Sequence, residues 1–206
     1  DGMAKAFNLD AKVISREMAK AAQDFKNFGN VSEKQLGVAV TYAQKLGLNL
    51  DKITGTMDAF GTFDDAADNV SKLNEAFGTN INAMEILQAQ TPEEKMEILR
   101  KEMRKAGVEG EKLNAAQRKL IAGAAGMDDQ TAIAAFSTKN YGVSLSKIKA
   151  EGEKNEKKTL TQAEAMNKLA DAMERILKAG PTGLTGGKGL LGAFMNGINA
   201  GIQSSP

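Results

Sequence analysis

Apolar residues recur along the first 140 positions at steps of three and four, which is the spacing of one face of an α-helix. One such stripe ends at Gly29 and consists of Ile14, Met18, Ala21, Phe25 and Phe28. The next ends at Gly47 and consists of Leu36, Ala39, Val40, Ala43 and Leu46. No run of residues alternates between apolar and polar with a period of two. The pattern therefore predicts an all-α chain of multiple short helices.

Polar residues ahead of these stripes predict where the helices begin. Ser32 with Gln35, and Asn114 with Gln117, have the form of capping boxes. The sequence Thr-Pro-Glu-Glu at 91–94 offers a cap, a residue suited to the first helical position and a reciprocal carboxylate. We expect the other helices to begin at Asp51, at Asp64 or Asp65, at Asn82 and at Asp128.

Glycines predict where the helices end. Gly47, Gly107 and Gly142 each follow a helical stripe and precede an apolar residue. This is the arrangement of a Schellman motif, in which glycine adopts the left-handed conformation. Gly78 and Gly126 close two further stripes. We therefore expect Gly-capped turns between the short helices.

The pattern changes after residue 140. Residues 141–179 are predicted to form a longer helix, with Gly152 and the charged run 151–158 as candidate interruptions. Its second half has a short apolar seam of Met166, Leu169, Met173 and Ile176. Residues 180–206 form a glycine-rich tail that contains Leu190, Leu191, Phe194, Met195 and Ile198. We predict three regions: a compact multi-helix region 1–140, the long helix 141–179 and the tail 180–206.

The composition removes most enzymatic chemistry. The 206 residues include no histidine and no cysteine, which supply most zinc sites, activated nucleophiles and thiol chemistry. The 27 basic and 26 acidic residues give a net charge of +1, so no overall field favours nucleic acid or anionic lipid. The lysines between 147 and 158 alternate with glutamates and lack aromatic neighbours, so we predict no specific nucleic-acid recognition. We predict no catalytic residue, no cofactor and no metal.

Two groups of acidic residues invite a metal-binding or catalytic interpretation. Asp64, Asp65 and Asp68, like the pair at 128–129, lie at predicted helix starts, where the helix dipole favours carboxylates. The carboxylates between 93 and 102 alternate with lysine and arginine, which is typical of a solvated helix face with i, i+4 ion pairs. A structural role is the favoured interpretation of both groups. A glycosidase that uses a pair of these carboxylates is the least favoured of three candidate functions.

Short segments in the central part of the chain occur in a characteristic order. They are residues 58–67 (DAFGTFDDAA), 70–74 (VSKLN), 82–87 (NAMEIL), the helix start at 93–94, and residues 117–127 (QRKLIAGAAGM). Over roughly residues 45–140, this order resembles a helical region of tail tape-measure and related virion structural proteins of large tailed bacteriophages.

The resemblance implies an elongated, mostly helical protein that occupies the tail tube in several copies and leaves ahead of the DNA at infection. We accordingly expect a non-enzymatic structural protein of the virion, made in the host cytoplasm. The chain would be the ordered part of a tape-measure protein, in the tail tube lumen or on the baseplate hub.

Expected partners are other copies of the chain, in three-fold or six-fold symmetry, together with tail tube and baseplate hub proteins. The residues expected to be buried between copies or against the hub are Met166, Leu169, Met173, Ile176, Leu190, Leu191, Phe194, Met195 and Ile198.

The alternative is a membrane-active ejection or channel protein of a phage. Its glycine-rich segment, residues 184–202, would insert into the host membrane. Lys188, Asn196 and Asn199 make spanning unfavourable, so membrane contact is expected only at ejection.

Overall fold

The computed structural model describes residues 2–23 and 31–178, and within those ranges it contains helices and turns but no strand. The all-α prediction is confirmed. The described α-helices are α1 (Gly2–Ala6), α2 (Ala11–Ala21), α3 (Glu33–Lys45), α4 (Gly55–Ala59), α5 (Phe63–Phe77), α6 (Ala83–Gln88), α7 (Pro92–Lys105), α8 (Ala115–Ala125), α9 (Asp129–Ala135) and α10 (Leu145–Lys178). Single 3-10 turns lie at Leu50–Lys52, Gly110–Lys112 and Thr138–Asn140.

The chain divides into two compact units, Asp1–Asn155 and Glu156–Pro206. The first unit includes α1 to α9 and the first turns of α10. The described part of the second unit is the remainder of α10. From the sequence, the compact region is predicted to end at residue 140, and the three regions 1–140, 141–179 and 180–206 stay predictions.

Two of the three predicted capping boxes are present. Ser32 Oγ accepts from the Gln35 amide at 3.3 Å, and the Gln35 side chain accepts from the Ser32 amide at 2.9 Å. The reciprocal pair at Asn114 and Gln117 has distances of 2.9 and 3.0 Å. These contacts satisfy amides that the first helical turn leaves without partners. The third is wrong: α7 begins where predicted, but the Thr91 side chain accepts no hydrogen bond from the amides of the first turn.

Two predicted helix starts are wrong. Asp51 lies inside a 3-10 turn, and α4 begins later, after Thr54, whose side chain makes no cap hydrogen bond. The cap of α5 is Thr62, and neither Asp64 nor Asp65 begins that helix. Thr62 has an extended backbone, and its hydroxyl accepts from the Asp65 amide at 3.1 Å. The two aspartates lie in the first turn, where the positive end of the helix dipole stabilises their negative charge.

The glycine joints are confirmed at two of the three similar positions. Gly47 and Gly107 both have φ of +75°. After each, the next amide donates to the carbonyl five residues earlier, at 3.0 and 2.9 Å, which is the Schellman pattern. The prediction for Gly142 is wrong, because Gly142 is not among the residues with positive φ. It follows the 3-10 turn Thr138–Asn140, which leaves no final α-helical turn for a left-handed residue to close.

Helix α3 is the centre of the first unit. Its residues 38–43 are buried on all sides, and it packs against α1, α2 and α7. Helices α4 and α6 also pack against α7, while α5 packs against α6 and α8. Completely buried large side chains lie within or directly after helices α3 to α8 and include Tyr42, Phe60, Leu73, Ile86, Leu99 and Ile121. Their burial is the main favourable contribution to folding.

Helix α10 is continuous through Gly152, so the interruption considered there does not occur. Gly152 is buried, and a Cβ added to it would lie 3.5 Å from both Met3 Sδ and Val38 Cγ2. Both distances are ordinary van der Waals contacts, so the first turns of α10 pack directly against α1 and α3 at this residue.

Helices α4 and α8 meet at two glycines. Gly55 opens α4, and Gly126 follows α8 with φ of +65°. A Cβ on either glycine would overlap the carbonyl oxygen of the other. Only glycine at both positions permits this approach of the two backbones.

Gly55→Ala is therefore expected to lower the free energy of unfolding by about 1–3 kcal/mol, because the backbone must move to accept the methyl group. Gly123→Ala is the matched control, since an added Cβ on this exposed residue of α8 meets no atom within 4 Å. It should raise the free energy of unfolding by about 1 kcal/mol. Urea unfolding measures both changes, and equal effects would contradict the close approach.

Candidate interaction surface

The second half of α10 is exposed along its whole described length. From Glu156 to Glu174, every side chain that the structure describes is exposed. Four of these side chains are large and apolar: Leu160, Met166, Leu169 and Met173, with exposed fractions of 58%, 67%, 38% and 54%. Phe63 and Met84 are also exposed; they lie in the first unit, at the starts of α5 and α6, and single exposed apolar residues are usual on protein surfaces.

Three of the four residues lie on one side of the helix. At about 100° per residue, Met166, Leu169 and Met173 fall within an arc of about 60°. Exposed Ala165 and Ala170 flank this arc on its two sides. We call these five residues the apolar stripe. Leu160 lies outside it, about 120° around the helix from Met166.

The rest of the predicted interface lies outside the described residues. This applies to the side chain of Ile176 and to Leu190, Leu191, Phe194, Met195 and Ile198. The glycine-rich segment 184–202 of the membrane alternative also lies there. Among the described residues, no helix has a stretch long and apolar enough to cross a membrane.

The apolar stripe has an energetic consequence. Covering a large apolar side chain contributes about 1.5–3 kcal/mol relative to leaving it in water. A helix without tertiary contacts is marginal in water, because most helical stability comes from packing one apolar face. A partner that covers the stripe therefore stabilises this part of α10.

The first turns of α10 are held by α7. Lys149 pairs with Glu94 at 2.7 Å, and the Leu145 amide donates to Glu97 Oε1 at 3.3 Å. Arg100 donates to the carbonyl of Val143 at 3.4 Å, just before the helix begins. These contacts fix where α10 starts within the first unit.

Arg100 is the centre of a buried polar network that the sequence did not reveal. Its Nε donates to the carbonyl of Ala135 at 2.8 Å, and its Nη2 donates to that of Asn140 at 2.6 Å. Its Nη1 donates to Tyr42 Oη at 3.0 Å and to Glu97 Oε2 at 3.1 Å. The Tyr42 hydroxyl in turn donates to Glu97 Oε2 at 2.7 Å. Only 7% of the Arg100 side chain is exposed.

Lys95 is buried in a similar way. It is 2% exposed, and its Nζ donates to the carbonyls of Phe60 at 3.1 Å and Ile86 at 2.8 Å. These carbonyls lie at the C-terminal ends of α4 and α6, where the helix dipole favours a positive charge. Burial lowers the pKa of Lys95.

Glu93 is the third buried charged residue of α7. It is 2% exposed, and its Oε2 has no hydrogen-bond partner in the described part of the chain. Burial raises the pKa of Glu93 from 4.5 to about 7, and the nearby Thr91 hydroxyl partly opposes this rise. The carboxyl is therefore partly protonated near neutral pH.

The prediction of a solvated face for residues 93–102 is therefore wrong at Glu93, Lys95 and Arg100. The sequence contains one signal of this. Glu93, Met96, Arg100 and Met103 are separated by three, four and three residues, which places them on a single face of α7. Two charged residues thus share a face with two apolar core residues.

Two of the acidic residues near helix starts form ion pairs. Asp68 pairs with Lys72 at 2.5 Å. Asp128 accepts from the Thr131 amide at 2.7 Å as the cap of α9 and pairs with Lys52 at 3.0 Å. Within residues 2–23 and 31–178, no group of three or more acidic side chains could hold a metal ion.

Comparisons with known proteins identify no relative: no family model, curated protein or solved structure matches the chain.

Arg100→Met is expected to lower the free energy of unfolding by about 3–5 kcal/mol, because it leaves the carbonyls of Ala135 and Asn140 without their donor and removes one of the donors to the half-buried Glu97. Lys101→Met is the matched control: Lys101 is exposed and one position further along the helix, so its effect should stay within about 0.5 kcal/mol. Denaturant unfolding of both variants measures this. If both variants lost a similarly small amount of unfolding free energy, the Arg100 network would not be a major source of stability.

Glu93→Gln is expected to change how stability depends on pH. A carboxyl whose pKa is higher in the folded chain binds its proton there more tightly than in the unfolded chain. The free energy of unfolding of the wild type should therefore fall as pH rises from 4.5 through about 7, by up to about 3 kcal/mol. The variant lacks this fall and becomes the more stable protein at pH 8.

Unfolding by urea at a series of pH values measures the effect of Glu93→Gln. Glu75→Gln replaces an exposed carboxylate on α5 and should retain the wild-type slope. If Glu93→Gln retained that slope as well, the buried carboxyl would not be its source.

Proposed function

We propose that the chain is a non-enzymatic structural protein of a tailed-phage virion, the ordered part of a tail tape-measure protein. It would lie in the tail tube lumen or on the baseplate hub and be released ahead of the DNA at infection. The observation that carries the proposal is the apolar stripe, which stays exposed on the second half of α10.

The sequence resemblance supports the proposal independently of the stripe. The segments that carry it fall in the consecutive helices α4 to α8, and they include the completely buried Phe60, Leu73, Ile86 and Ile121. The resemblance thus extends over residues on which the core depends.

The stripe favours other helices as partners. Met166, Leu169 and Met173 are separated by three and four residues, the spacing with which two helices interlock their side chains. Ala165 and Ala170 beside them are small and permit close approach. Methionine adapts to irregular neighbours, which suits contacts with several chains. Further copies of the chain, in three-fold or six-fold symmetry, and tail tube or hub proteins are the partners proposed.

Self-association of the full chain tests the proposal. Sedimentation from micromolar to millimolar concentration should show assembly of the wild type. Leu169→Glu should weaken assembly by roughly ten- to a hundredfold, because it removes one buried apolar side chain at each contact. Leu160→Glu, the same change outside the stripe, should have little effect.

Mass spectrometry of purified particles is the second readout of this test. Peptides from the chain should be present in intact tailed particles and depleted after DNA ejection. A wild-type chain that stays monomeric at millimolar concentration and is absent from intact particles would refute the proposal.

A further inference from the structure

A cavity of about 220 Å³ lies in the first unit where α7 ends. One wall is the last turns of α7 and is basic, because it contains Arg100, Lys101, Arg104 and Lys105. The other wall is mainly apolar and is formed by Val108, Ala135, Phe136, Tyr141 and Val143. The cavity thus combines a positively charged side with an apolar side.

The positive charge of this cavity is only partly neutralised. Glu97 is the one carboxylate among its lining residues, and it already accepts the three hydrogen bonds described above. Lys105 pairs with Glu102 at 2.6 Å. In the part of the chain that the structure describes, neither Lys101 nor Arg104 has a carboxylate partner. Two cationic groups therefore remain available at the cavity.

The guanidinium groups are held in place before any partner arrives. Arg104 Nη1 donates to the carbonyl of Tyr141 at 2.7 Å, and its Cζ lies 5.9 Å from the centre of the Tyr141 ring. Arg100 is buried, and its Nη2 donates one hydrogen to Asn140. A fixed guanidinium binds an oxyanion with less loss of side-chain freedom than a mobile one.

We propose that this cavity is a docking site for a carboxylate carried by a partner protein, an aspartate or glutamate side chain beside an apolar residue. Arg104 and Lys101 contact the carboxylate, and Phe136 and Val108 cover the apolar neighbour. The volume favours a protein partner, because sites that enclose whole small-molecule ligands usually measure about 300–1,000 Å³. None of its lining residues belongs to the apolar stripe, and the proposal does not depend on the proposed function.

The test uses the full chain labelled with ¹⁵N and the probe peptide acetyl-Ala-Glu-Phe-amide. Amide signals of Val108, Phe136 and Val143 should shift and saturate in the millimolar range. The matched peptide with glutamine in place of glutamate should bind at least about tenfold more weakly, because it lacks the charge-assisted hydrogen bonds. Inorganic phosphate is titrated separately to detect a site for small anions only.

Substitutions locate the binding. Arg104→Gln should weaken binding of the glutamate peptide about tenfold, and Arg104→Lys should restore part of the affinity. Lys119→Gln makes the same change of charge on the exposed face of α8 and should leave the affinity for the glutamate peptide unchanged. Circular dichroism confirms that each variant is folded. The proposal would be overturned if the two peptides bound equally well or if Arg104→Gln had no effect on binding. It would also be overturned if the chain bound phosphate saturably but did not bind the glutamate peptide.

Discussion

The guanidinium of Arg100 joins parts of the chain that are distant in sequence. It contacts Tyr42 of α3, the last carbonyl of α9 and the backbone ahead of α10. A buried guanidinium is costly to remove from water, so it is stable there only if its donors find acceptors. The positions of α3, α9 and the start of α10 are therefore coupled, because displacement of any one removes at least one acceptor from the buried guanidinium.

Helix α7 places three charged side chains in the interior, and each has a different consequence. Arg100 and Lys95 donate to backbone carbonyls, including those at the C-terminal ends of other helices, and so fix how those helices end. The Oε2 atom of Glu93 has no hydrogen-bond partner within the described residues, and burial raises the pKa of this carboxyl. The same helix thus provides both the specificity of the fold and its sensitivity to pH.

Features set by neighbouring residues could be predicted from the sequence. The capping boxes at Ser32 and Asn114 and the left-handed Gly47 and Gly107 depend on contacts within a few positions. Gly142 could not be predicted in this way, because its conformation depends on the 3-10 turn before it.

The hydrogen-bond partners of Lys95 and Arg100 could not be predicted, because they are mainly backbone carbonyls, such as those of Phe60 and Ala135. Every sequence supplies such carbonyls, so they leave no signal in the residue types. The stripe at Met166 and Met173 was predicted from spacing, and the part of the candidate interface beyond α10 stays a prediction.

Amide hydrogen exchange of the full chain tests most directly whether the stripe is covered only on assembly. In dilute solution residues 160–171 should exchange rapidly while α7 is protected, and protection of 160–171 should grow with concentration. Strong protection of 160–171 in the dilute monomer would contradict the account.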